Sequence, residues 1–141
     1  LMHPEVGHML LRAHPDDPAP DGFCPYHKGC LEGVASGPAI EKRWGVNARE
    51  LPPEHPAWAL EAHYLSQMCM NLIMTVSPEK IILGGGVMSQ SHLFPMIRQE
   101  TMRLLNGYVA CIDQADDLIV PPVCFPDSGL IGAVLLAKNA R

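Results

Sequence analysis

Cys24, His27 and Cys30 stand in one short run, Cys24-Pro25-Tyr26-His27-Lys28-Gly29-Cys30, at C-x2-H-x2-C spacing. Two thiols and an imidazole are the donors zinc prefers, four to a tetrahedron, and the short spacing presents neighbouring ligands from one turn of backbone without strain. A fourth donor must come from elsewhere in the chain. His3, His8 and His14 are the candidates, and His8 is the choice because it falls on a segment that reads as a strand, a rigid element. Four protein ligands leave no position open to substrate, so such a site is structural. The competing reading is a surface loop with two incidental thiols and an exposed histidine. The irregular stretch Ala13–Lys28 weighs against that reading, because a loop of about sixteen residues in a compact domain needs something to tie it down.

A second group of polar residues adjoins the first. Glu5 precedes the strand-like segment, His8 lies on it, and Glu32 follows Cys30 closely. A metal that draws His8 to the cysteines also draws Glu32 towards Glu5. Two carboxylates facing one cleft suit neighbouring hydroxyls, as on a sugar; solvated surface carboxylates are the plainer alternative, and the residues alone favour it. Further on, Lys80-Ile81-Ile82-Leu83 runs into Gly84-Gly85-Gly86-Val87-Met88. A glycine turn at the carboxyl end of a buried strand is where open α/β sheets bind ligands, since backbone without Cβ atoms can approach a flat or anionic group. It lacks the Lys-Ser/Thr of a phosphate loop and the G-x-G-x-x-G fingerprint, and a tight strand-to-helix turn explains it equally well.

The elements that must carry these residues alternate. Val6–Arg12 reads as a strand. Ser36-Gly37-Pro38 supplies a capping hydroxyl and a first-turn proline for a helix that stops before Gly45. His55-Pro56 opens the longest helix, about Ala57 to Thr75, with Leu65, Met68, Cys69, Leu72, Ile73 and Val76 on one apolar face. Ser77-Pro78 ends it. After the strand at 80–83, a helix from about His92 to Asn106 turns Phe94, Ile97, Thr101, Leu104 and Leu105 inward, with Gly107 placed to end it. Leu118-Ile119-Val120 is another short strand. Asp127 or Ser128 caps a last helix to about Lys138. The succession is α/β layering.

Composition sets the outer limits. The 141 residues, 15.4 kDa, are 48% hydrophobic and 18% charged, which excludes a disordered chain. No apolar run approaches the ~20 residues that span a bilayer. A net charge of −5 disfavours nucleic acid and anionic membrane surfaces as partners. Five cysteines is an odd number, too sparse for a secreted disulfide scaffold. With no basic and apolar leader at residues 1–5, the thiols are expected to be reduced and the compartment cytoplasmic. Cys69, on an apolar helix face, reads as an inert core residue; Cys111 and Cys124 form no pattern.

Taken together, Glu5-Val6-Gly7-His8, the Cys/His loop, Cys30-Leu31-Glu32-Gly33-Val34-Ala35-Ser36-Gly37 and Ile81-Ile82-Leu83-Gly84-Gly85-Gly86-Val87 resemble the ROK sugar kinases in content and order. Cys24-Pro25-Tyr26-His27, preceded by His3-Pro4-Glu5, is most similar to the bacterial ROK fructokinases; His27 stands where many relatives carry a further cysteine. The resemblance implies the actin-like (ribonuclease H-like) ATPase fold, two α/β domains around a cleft, and magnesium-dependent phosphoryl transfer from ATP to fructose. It implies zinc on His8, Cys24, His27 and Cys30, and sugar contacts at Glu5, His8 and Glu32. Nucleotide contacts fall on Ala35, Ser36 and Gly37 and on Gly84, Gly85, Gly86, Val87 and Met88, with Gly129 weaker. It implies a homodimer. A sugar-responsive repressor of the family, or a kinase for glucose or N-acetylmannosamine, stays open. The family's D-x-G-G-T phosphate loop and its aspartate base in an N-D motif are not in these residues, so the chain is expected to be the carboxy-terminal region of a kinase about twice as long and inactive alone.

Overall fold

The computed structural model describes residues 3–109, 115–124 and 126–140. Cys111 lies outside them. The chain mixes helix and sheet. α1 (Leu31–Val34) is one turn that follows Cys30 directly, and α2 is Gly37–Trp44. Ser36 caps α2, its Oγ accepting from Ala39 N at 3.3 Å, and Gly45 closes it at φ +70, a left-handed geometry that glycine adopts without steric cost. α3 (Ala57–Val76) and α4 (Leu93–Leu105) pack against one another and carry most of the core.

The α3 start depends on local side chains. His55 Nδ1 accepts from Ala57 N at 3.1 Å, and the Trp58 indole donates to Pro52 O at 2.8 Å. Trp58, Tyr64, Cys69, Leu93 and Ile97 are fully buried between the two helices and their neighbours. Val76, expected on the apolar face of α3, is exposed, because the last turn of the helix projects beyond the core. β1 (Ile81–Ile82) and β2 (Ile119–Val120) pair in parallel, Ile81 opposite Ile119. Leu83 N extends the ladder to Val120 O at 3.0 Å. α5 (Ser128–Asn139) follows, with Asp127 at its N-cap position but no side-chain cap bond and no buried residue.

Val6–Arg12 is not a strand: Val6–His8 forms a turn of 3-10 helix, with His8 N bonded to Glu5 O at 3.0 Å and Met9 N to Val6 O at 3.1 Å. Only Leu10 makes an antiparallel bridge, to Cys30. The run has poor alternation, and Gly7 lies against Glu32, where a Cβ would meet Glu32 Cβ in ordinary contact at 3.8 Å. The turn α1 was not foreseen, because four residues give no period to read. Among the described residues, no helix is long and apolar enough to cross a membrane.

Candidate metal centre and the adjoining clefts

The loop 13–30 is tied by backbone. Leu11 N reaches Gly29 O at 3.0 Å, Leu31 N reaches Met9 O at 3.0 Å, Gly29 N reaches Asp21 O at 2.8 Å, and Phe23 N reaches Gly33 O at 2.9 Å. Gly22, at φ +68, lies so close to α1 that a Cβ would sit 2.6 Å from Gly33 O. These contacts fold Cys24 back over α1 and set it beside Cys30.

His8, Cys24, His27 and Cys30 thereby converge, with one ligand atom from each lying within 4.8 Å of the others. His8 Nδ1 stands 4.0 Å from Cys24 Sγ and 3.9 Å from Cys30 Sγ, and the two imidazole centroids are 5.1 Å apart. A tetrahedron built on Zn–N and Zn–S bonds has edges of about 3.3–3.8 Å; the two His8–thiol distances exceed that by a few tenths of an ångström, and the widest pair of donors, up to 4.8 Å apart, would close by about 1 Å. The protonation chemistry also fits. The backbone amides of Tyr26 and His27 hold the Cys24 thiol below its ordinary pKa, while burial pushes Cys30 up. A cation would have to displace the Cys30 proton, as zinc does from coordinating thiols. The residues present therefore suit a structural zinc ion.

His8 also joins this centre to a carboxylate. While Nδ1 faces the thiols, Nε2 lies 3.4 Å from Glu32 Oε2. A carboxylate on the far nitrogen of a ligating histidine fixes its ring and tautomer. Glu32 lies beside His8 rather than facing the Glu5 carboxylate, and its side chain remains 62% exposed. Glu5 is placed differently: its carbonyl accepts from His8 N, but its carboxylate pairs with His3 Nδ1 at 3.3 Å.

The glycine turn lies in a second cleft. Gly84, Gly85 and Gly86 line a cavity of about 630 Å³ with Arg49, Ile82, Ser89, Pro122, Pro126, Ser128 and Gly129. That volume suits a small-molecule ligand. Gly85 sits at φ +93, and a Cβ on Gly84 would lie 3.4 Å from Pro122 Cγ. Val87 and Met88 follow in a turn of 3-10 helix, Met88 buried. A Cβ on Gly37 would meet Val87 Cγ2 at 4.0 Å, so the Ala35-Ser36-Gly37 turn adjoins the glycine turn. Arg49, Ser89 and Ser128 were not anticipated; they come from three separate turns and helix starts, with no shared spacing to flag them.

The match with known proteins covers nearly the whole chain: the model of the ROK family fits residues 2–140. The chain belongs to the ROK family. It is 46% identical to the fructokinase of Pediococcus pentosaceus over 138 residues, 98% of this chain and 47% of that protein. The fructokinase of Zymomonas mobilis is 42% identical over 143 residues, 100% of this chain and 47% of the relative. In structure the chain superposes on the ROK hexokinase from Thermus thermophilus with a TM-score of 0.69 at 25% identity, covering 96% of this chain and 49% of the hexokinase. The chain spans about half the length of the curated relatives it matches.

Proposed function

We propose that these 141 residues are the carboxy-terminal region of an ATP-dependent ROK sugar kinase of the fructokinase subgroup, with the actin-like ATPase fold in the whole enzyme. The reaction is transfer of the ATP γ-phosphoryl group, with magnesium, to a fructose hydroxyl, giving fructose 6-phosphate. The observation that carries this reading is the convergence of His8, Cys24, His27 and Cys30 within 4.8 Å, with Glu32 held on the outer nitrogen of His8, in a ROK chain that is similar to fructokinases.

In this reading zinc on His8, Cys24, His27 and Cys30 is structural. It clamps the proline-rich loop so that sugar hydroxyls meet a prearranged set, the carboxylates of Glu5 and Glu32 accepting and His8 Nε2–H donating, and fixed orientation of this kind is a large part of phosphoryl-transfer catalysis. The turn Ala35-Ser36-Gly37 and the run Gly84-Gly85-Gly86-Val87-Met88 seat the nucleotide, with Gly129 lining the cleft beside Gly84, Gly85 and Gly86. The general base that takes the hydroxyl proton comes from outside these residues. The whole kinase is a cytoplasmic homodimer.

The test is a hexose panel with ATP on the full-length kinase, paired with elemental analysis. Fructose is expected to be the best substrate, and Cys24→Ser with Cys30→Ser to lose both zinc and turnover. Preference for another hexose would reassign the substrate; full turnover after loss of the metal would remove zinc from the sugar pocket.

A further inference from the structure

The loop bearing Cys24 is anchored on its other side by a charged group that the metal reading does not use. Asp17 and Arg43 form a two-pronged ion pair, Nε to Oδ1 at 2.8 Å and Nη2 to Oδ2 at 3.1 Å, with side chains 0% and 1% exposed. Tyr64 Oη donates to Asp17 Oδ2 at 2.6 Å and accepts from His14 N at 3.2 Å. Ala19 N donates to Asp17 Oδ1 at 2.8 Å. Asp17 thus accepts bonds from its own loop, from α2 and from α3.

Arg43 carries the connection further. Its Nη1 donates to Val34 O at 3.0 Å, at the end of α1. Its guanidinium carbon lies 6.0 Å from the ring centroid of Phe23, the residue before Cys24, close enough for a cation–π contact. Phe23 N in turn bonds Gly33 O. One guanidinium therefore touches both the Cys24 limb of the loop and the end of the helical turn that bears Glu32 and follows Cys30. Val34 also leads directly into Ala35-Ser36-Gly37.

A tie placed only for stability has no need of this arrangement, since a buried ion pair is often no more stabilising than packed apolar side chains. What a bidentate arginine adds is fixed geometry. We propose that Asp17, Arg43 and Tyr64 are positioning residues. They hold Cys24 against α1, set Cys24 and Cys30 in register for the metal with Glu32 beside His8, and connect that register to the Ala35-Ser36-Gly37 turn. The inference rests on the metal reading only for its consequence, not for the tie itself.

The test compares Tyr64→Phe and Arg43→Lys with Ile97→Val, a buried change in α4 that bears on the core but not on the loop. Zinc release to a chromophoric chelator is followed in the zinc-loaded 141-residue chain. Hydrogen exchange of the Gly22, Phe23 and Ala35 amides is followed in the metal-free chain. Removing groups that orient metal ligands commonly costs ~10–100-fold in affinity. Zinc release is expected to quicken about tenfold in Tyr64→Phe and further in Arg43→Lys, with Ile97→Val at the wild-type rate. The three amides are expected to exchange faster in the first two variants alone. Wild-type release and exchange in Tyr64→Phe and Arg43→Lys, or equal changes in Ile97→Val, would overturn the proposal. A wild-type chain that takes up no zinc would refute the metal centre, and the exchange comparison would then decide the tie alone.

Discussion

The four described thiols have four different surroundings, and these dictate their reactivity. Cys69 is fully buried beside Thr101, and burial pushes its thiol up to about 12; Cys124 is exposed. Alkylation of the folded chain followed by mass spectrometry should label Cys124 first and Cys69 last, since the thiolate is the nucleophile. Cys24 and Cys30 should be protected until a chelator is added. Early labelling of Cys69 would mean a looser core than described. Glu61 makes the pH prediction. Desolvation lifts its carboxyl from 4.5 to about 8 despite the opposing pull of Arg43, and its Oε1 has no partner among the described residues. Between those values the folded chain keeps a proton that the unfolded chain has released, so stability falls as pH rises from 4.5 to 8. The loss by neutral pH is up to roughly 3 kcal/mol. Glu61→Gln should flatten that slope and raise Tm at pH 8; parallel melting-temperature profiles for the two chains would rule it out. Residue chemistry at Cys24, His27 and Cys30 was legible because those ligands lie close in sequence. The Asp17–Arg43 pair was not, because its partners stand 26 residues apart and each alone reads as a solvated surface charge.

Elements were legible where local chemistry decides them. Ser36 and Gly45 bound α2 because a hydroxyl cap and a left-handed glycine act within one turn. Ser36→Ala should cost about 1 kcal/mol in denaturant unfolding, and no change in midpoint would mean the cap is idle. The segment Val6–Arg12 was misread because its structure is imposed from a distance, by Leu10 pairing with Cys30 and by Gly7 packing on Glu32. The parallel pairing of β1 with β2 has the same origin: Ile81 and Ile119 are both buried and meet only through the tertiary fold. Gly22 is the sharpest test at this scale. Its positive φ and the 2.6 Å approach to Gly33 O leave no room for a methyl group. Gly22→Ala should destabilise the chain by more than about 1 kcal/mol and weaken zinc retention along with it; unaltered retention would separate the loop packing from the metal centre.

At the scale of the whole molecule, two elements are left uncovered. α5 has no buried residue, while Leu130 is 67% and Leu136 75% exposed. β1 and β2 form a two-stranded parallel sheet with Ile82 exposed, although parallel sheets are ordinarily covered on both faces. Large apolar residues left exposed on α5 and on the sheet suit a contact with other protein, in keeping with relatives of about twice the length. The 141-residue chain is expected to self-associate as its concentration rises, and Leu130→Glu with Leu136→Glu to return it to a monomer with unchanged helix content. Sedimentation that finds the unaltered chain monomeric throughout would count against that surface. ATP-dependent phosphorylation of fructose by this chain alone would contradict the division of labour proposed for the two halves. The most direct measurement of all is X-ray absorption at the zinc edge, combined with elemental analysis, on the chain purified without added metal. One zinc per chain, with two sulfur and two nitrogen neighbours, is the expected result. A chain that is folded yet zinc-free, or a zinc surrounded only by oxygen and nitrogen, would contradict the clamp formed by His8, Cys24, His27 and Cys30.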